Sequence, residues 1–161
     1  MRSLEWTGHY EVVVDASPEQ VWEVLTDVTR IGEWSHECHE AHWVDGSTGP
    51  TVGARFRGRN RAGLVRWGRP CEVTALDPGR RFVYSTDGGL IGDCTEWTFE
   101  LEPVGERTRI VQSFRILSLP RWAEVVICHL VPAHQDRSVA LTQDLHRLGE
   151  VAGAGVRRTS Q

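Results

Sequence analysis

The densest run of titratable side chains in the sequence is His36-Glu37-Cys38-His39-Glu40-Ala41-His42. Three histidines and a thiol within seven residues are zinc-ligand types, but tetrahedral sites draw their ligands from two separated groups, and this run has no distant second group. No metal is expected. Cys38 beside His39 has the types of a nucleophile and its base. Neighbours in an extended chain point to opposite faces, however, and no orienting Asp or Asn is evident. The run reads as a solvated loop at the rim of a cavity.

A second pattern is Arg55, Arg57, Arg59 and Arg61, which alternate around Phe56 and are followed by Arg66 and Arg69. Alternation places the four arginines on one face of a strand. The ordinary place for such a face is water, here with Glu96, Glu100 and Glu102 for company. A Gly-rich phosphate loop, a GxSxG elbow and paired catalytic carboxylates are all missing. No cofactor is therefore expected.

The elements that must position these groups belong to a chain of 161 residues, 40% apolar, with a net charge of −4. That supports one core and one domain, 1–161, with 152–161 a disordered tail. The acidic balance excludes nucleic acid as the main partner. No apolar run approaches the roughly 18 residues that span a bilayer, and Met1 to Glu11 lacks the apolar stretch of a signal peptide. The expectation is a cytoplasmic protein, without membrane insertion, that is a monomer or a weak homodimer. Cys38, Cys71, Cys94 and Cys128 lie at long spacings without a CxxC pair, as in a reducing compartment.

His9 to Asp15 reads as a strand. Ser17, Pro18 and Gln20 then supply a cap, a first helical residue and a capping box for a helix that buries Val21, Trp22, Leu25 and Val28. A short helical turn over Thr29 to Trp34 precedes a strand at Ala41 to Val44. Five alternating segments follow, separated by turn signals: Ala54 to Arg61, Val65 to Leu76, Arg81 to Thr86, Asp93 to Glu102 and Arg107 to Leu117. Pro70 predicts a bulge or edge in the second of them. Arg121 to Gly149 then takes helical spacing, with Trp122, Val126, His129, Ala133, Arg137, Leu141, Leu145 and Leu148 near one stripe and Pro132 bending or breaking it. This order predicts an α+β, helix-grip architecture: a curved seven-stranded antiparallel sheet around a long C-terminal helix, with two short helices after the first strand.

Parity decides which strand residues face that helix. Trp97 and Phe99 alternate with Glu96, Thr98 and Glu100, so the aromatic set points inward. By the same reasoning Phe82 and Tyr84, then Gln112 and Phe114, then Trp67, Arg69 and Cys71, and finally Phe56, Gly58 and Asn60 face inward.

Three stretches carry a family resemblance: Val14-Asp15-Ala16-Ser17-Pro18-Glu19-Gln20-Val21-Trp22 with Leu25-Thr26-Asp27; Gly32-Glu33-Trp34-Ser35; and Gly53-Ala54-Arg55-Phe56-Arg57-Gly58-Arg59-Asn60. With the Trp97-Thr98-Phe99 strand and the terminal helix, the chain from about residue 8 to 150 resembles the START/Bet v1-like (SRPBCC) superfamily. Within it, the chain is most like the polyketide cyclase/dehydrase-like proteins of actinobacteria. The resemblance implies a deep apolar cavity between sheet and helix, and it implies fold more sharply than function, because members include carriers, binders, cyclases and self-resistance proteins.

The residues expected to meet a ligand are Trp34, Phe56 and Asn60, then Trp67, Arg69, Phe82 and Tyr84, and then Trp97, Phe99, Gln112 and Phe114. Trp122, Val126 and His129 are expected from the helix, with His134 and Arg137 as further polar candidates. Trp67, Trp97 and Trp122 should border one continuous pocket of at least about 300 Å³. The first functional expectation is binding of a hydrophobic, polycyclic or polyketide-like molecule, for carriage, sequestration or self-resistance. The alternative is a cofactor-independent aromatase/cyclase or dehydratase using Arg69, Tyr84 and His129 as its catalytic groups.

Overall fold

The computed structural model describes residues 4–130 and 136–159. Strand β1 (Thr7–Val14) leads into helix α1 (Pro18–Thr26), a 3-10 turn (Val28–Glu33) and β2 (Cys38–Val44). The meander continues through β3 (Arg55–Ala62), β4 (Val65–Asp77), β5 (Arg81–Asp87), β6 (Cys94–Val104) and β7 (Arg107–Ser118), and helices α2 (Arg121–Leu130) and α3 (Ser138–Thr159) close the fold. All neighbours in the sheet are antiparallel, in the order β1-β7-β6-β5-β4-β3-β2. This is the helix-grip arrangement expected from the sequence.

The capping box forms as read. Ser17 Oγ accepts from the Gln20 N–H at 3.3 Å and the Gln20 side chain accepts from the Ser17 N–H at 2.9 Å. Such a cap contributes about 1 kcal/mol and fixes where the chain leaves β1. Val21, Val24 and Leu25 of α1 and Leu145, Leu148 and Ala152 of α3 then bury against the inward faces of Ile110, Phe99 and Val73.

Of the bulge or edge expected at Pro70, the structure shows the edge: Pro70 pairs in register with Arg57, and the irregularity lies between Val73 and Ala75. Residues 65–70 of β4 pair only with β3, because the pairing with β5 begins at Cys71, so a missing donor is tolerated there. The arginine ladder is exposed, but Arg55 pairs with Asp45 and Arg59 with Glu40, while Glu96, Glu100 and Glu102 pair with Arg115, Arg81 and Arg109. Two strands separate β3 from β6, which puts the expected partners out of reach.

The helical segment forms two helices, α2 and α3, which the expected bend or break allowed. Pro132, Ala133 and His134 lie outside the described residues. In α2 it is Ala123 that is buried, whereas Trp122, Val126 and His129 are exposed. Leu141, Leu145 and Leu148 of the same expected stripe are buried. Helical phase does not carry across an interruption.

Nor does the chain fray at residue 152, since α3 runs to Thr159. Its backbone lies so close to β1 that a Cβ at Gly149 would overlap the Val14 side chain. Gly149→Val should therefore destabilise the protein by about 2 kcal/mol, the cost of forcing extra methyl groups into a filled contact. Urea unfolding measures it. A midpoint no lower than that of the unaltered protein would show that α3 docks by other means.

Candidate functional site

Period-two alternation delivers one inward side chain from each strand to a common space, and the helices close it. The inward residues of β3 to β7 meet Trp34 and His36 from the segment after α1, and Leu141 and Asp144 from α3, around a chamber of about 80 Å³. The strands contribute Asn60, Cys71, Tyr84, Phe99 and Gln112. A second chamber of about 240 Å³ lies beside it, under α2, walled by Trp67, Ile116, Trp122, Val126, Ile127 and Arg137. Trp122 and Val126 are 59% and 43% exposed, which makes α2 the open side.

One side chain lines both chambers. Arg69 Nη2 lies 2.5 Å from Asp93 Oδ2, and both groups are mostly buried. The single pocket expected from the sequence is thus divided in two. Trp67 and Trp122 border the larger chamber and Trp97 the smaller, and neither chamber reaches 300 Å³. A wider indentation of about 890 Å³ lies outside, between the end of β1 and α3, but its charged residues Asp15, Glu106, Arg107 and Glu150 are all exposed.

The smaller chamber holds polar atoms with nothing to bond. Gln112 Oε1 and Trp34 Nε1 have no hydrogen-bond partner among the described residues, although the two residues are 3% and 4% exposed. Leaving such groups unpaired costs about 1–3 kcal/mol each. Tyr84 keeps some accessible surface, but that surface faces the chamber, and burial pushes its phenol well above the ordinary value. Burial likewise pushes the Cys38 thiol up to about 11 and Cys71 higher still, so neither is a ready nucleophile.

The run His36 to His42 does not stay together. His39 and His42 are exposed. His36 turns toward α3, where its Nδ1 lies 2.6 Å from Asp144 Oδ2 and its backbone N–H donates to Asp144 Oδ1 at 3.0 Å. Asp144 is 2% exposed. Its hydrogen bond holds the imidazole above the ordinary histidine value, against the opposing effect of burial. A histidine whose Nδ1 is fixed by a buried carboxylate presents Nε2 as a proton donor or acceptor. Sequence reasoning missed this pair because its members are 108 residues apart. A signal was available: Asp144 is an acid inside the apolar stripe of Leu141, Leu145 and Leu148.

Of the expected site residues, Trp34, Phe56, Asn60, Tyr84, Trp97, Phe99 and Gln112 line the smaller chamber, and Trp67, Trp122 and Val126 the larger. Phe82 and Phe114 stand behind the walls. Phe82 packs on Trp22 and Tyr84, and Phe114 on Tyr10 and Trp97. His129 faces solvent with its Nδ1 2.7 Å from the Val125 carbonyl, and it reaches neither chamber because the α2 stripe is turned by one position. His134 lies outside the described residues.

The His36–Asp144 pair makes stability depend on pH. With the folded-state histidine raised, the stabilisation is complete below about pH 6.5, the unfolded value, and is lost as pH rises through the folded value. Thermal unfolding of the protein and of His36→Gln across pH 5.5 to 9 should show a gap that narrows with rising pH. A constant gap would show that the contact does not favour the protonated ring.

A family profile described as polyketide cyclase/dehydrase and lipid transport matches residues 5–151. No curated protein matches the chain in sequence. Among solved structures, a polyketide-cyclase-like protein of Corynebacterium glutamicum is 25% identical, with 95% of this chain and 94% of that one covered and a TM-score of 0.59. A Thermus thermophilus protein is 22% identical over 92% and 98% of the two chains, with a TM-score of 0.66. A protein of the dynemicin biosynthetic locus is 17% identical, covering 94% of this chain and 48% of that one, with a TM-score of 0.61.

Proposed function

This chain belongs to the polyketide cyclase/dehydrase and lipid-transport family, and from that membership together with its paired chambers we propose that it binds a hydrophobic, polycyclic small molecule between the sheet and its helices. The observation that carries the reading is the orphaned pair in the smaller chamber: an acceptor, Gln112 Oε1, and a donor, Trp34 Nε1, each buried without a partner. A ligand with one hydroxyl and one carbonyl on an apolar frame supplies both missing bonds and recovers what the empty protein forgoes. Aromatic rings, Trp67 and Trp122 in the larger chamber and Phe56, Trp97 and Phe99 in the smaller, suit a flat ring system. Carriage, sequestration and natural-product self-resistance all need no more than this.

The second reading, a cofactor-independent cyclase or dehydratase, is favoured by the His36–Asp144 pair. Such reactions move a proton to or from a carbon or hydroxyl next to a carbonyl. An oriented imidazole on the wall of the chamber is placed for that, with the Tyr84 phenol, kept neutral by burial, as a hydrogen-bond donor to the carbonyl oxygen. Arg69 is engaged by Asp93 and serves as a wall.

Native mass spectrometry of freshly purified protein should show one co-purifying small molecule per chain, and an apolar naphthylamine dye should bind with quenching of tryptophan emission. Gln112→Met should then weaken ligand binding by about 1–2 kcal/mol without lowering the melting temperature, because it removes an acceptor that the empty protein leaves unpaired. A variant that loses stability and keeps its affinity would refute the hydrogen-bonding role. For the enzyme reading, His36→Ala should cut turnover of a polyketide chain about a hundredfold or more with binding retained.

A further inference from the structure

The larger chamber contains a half-buried cation that has no carboxylate in direct contact among the described residues. Arg137, immediately before α3, lays its guanidinium over two aromatic rings, 5.7 Å from the Trp97 centroid and 5.5 Å from that of Phe114. Among the described residues no carboxylate comes within ion-pair distance of it. Glu5 is near, but its Oε2 accepts from the Arg137 backbone N–H at 3.4 Å and from the Tyr10 hydroxyl at 3.2 Å. Glu5 and Glu37 act on the guanidinium only as longer-range attractions, while burial works against its charge. Arginine does not escape by deprotonating, so the cost of desolvation is met by the aromatic faces and by these longer-range attractions, without a direct ion pair.

The other charges on the same walls sharpen the contrast. Arg69 has Asp93 at 2.5 Å, which neutralises it. Two guanidiniums and one carboxylate therefore face this chamber, leaving one positive charge in excess, on Arg137. Apart from Thr95 and the Arg69–Asp93 pair, the side chains on these walls are apolar, among them Ile116, Leu119, Ile127 and the tryptophans at 67 and 122. A largely apolar wall with one forked cation in excess is complementary to a molecule with one planar anion on a hydrocarbon body.

We propose that the larger chamber takes an apolar monocarboxylic acid, with its carboxylate on the Arg137 guanidinium and its hydrocarbon or ring body against Trp67 and Trp122. The assignment rests on the binding reading above and narrows its ligand class. Two parallel N–H donors match the two carboxylate oxygens, and in a water-poor site such charge-assisted bonds are about twice as strong as neutral ones. Ester or amide forms of the same skeleton lose that pairing and leave the cation bare.

The test uses N-phenyl-1-naphthylamine as an uncharged fluorescent reporter in the full-length protein, displaced at neutral pH by 2-naphthoate or by its methyl ester. The acid should displace the reporter at a concentration at least tenfold below the ester. In Arg137→Met that advantage should vanish with the ester unaffected, and Arg137→Lys should restore part of it as a point charge. Equal displacement by acid and ester in the unaltered protein, which needs no variant to fold, overturns the carboxylate assignment and leaves the binding reading standing. So does an acid preference that survives Arg137→Met. A reporter that does not bind at all overturns the binding reading and this assignment together.

Discussion

A seven-stranded sheet is wider than one helix. Six inter-strand spacings of about 4.8 Å make it roughly 29 Å across, while a helix with its side chains covers about 10–12 Å. One inward face must therefore be covered by several elements or left partly empty. Here α1, the 3-10 turn and the second half of α3 cover one part, and the core of Val21, Leu145, Leu148, Phe99 and Ile110 forms there. Beyond the reach of α3, under α2, the covering is thin and only Ala123 of that helix is buried. The chambers are the space the helices do not fill.

What fills a wall without a core behind it is decided by polarity. Along the inward faces the large apolar residues are interrupted by Asn60, Arg69, Tyr84 and Gln112, each a group that would be costly in a packed core. Arg69 is compensated by Asp93, Asp144 by the His36 ring and backbone, and Thr108 by the Ala16 carbonyl at 2.7 Å. Gln112, Trp34 and Arg137 are compensated less completely. All three residues line the chambers, Trp34 while also packed in the core.

The three groups also divide the chemistry. The smaller chamber offers neutral hydrogen bonds and an oriented imidazole, which suit a carbonyl or hydroxyl; the larger offers a cation among apolar walls. The Arg69–Asp93 pair stands between them, and its two charges neutralise each other where a ligand would otherwise meet either one alone. Family membership and fold leave these features open, because one fold hosts many different sites.

The sequence by itself determined what is local or periodic. Capping chemistry at Ser17 and Gln20 set the start of α1, turn residues set the meander, and alternation assigned the inward residues Phe56, Asn60, Arg69, Tyr84, Trp97 and Gln112. Each of these rests on neighbours a few residues apart or on a period of two that any strand must obey. Only the tertiary structure decided the rest. The His36–Asp144 and Arg69–Asp93 contacts join residues brought together by chain reversal, and no local pattern encodes them. The phase of α2 was lost at an interruption that resets helical rotation, and with it His129. That Arg137 stands beside aromatic faces without a carboxylate is likewise a property of three-dimensional arrangement, since sequence supplies charges and only folding chooses which of them meet.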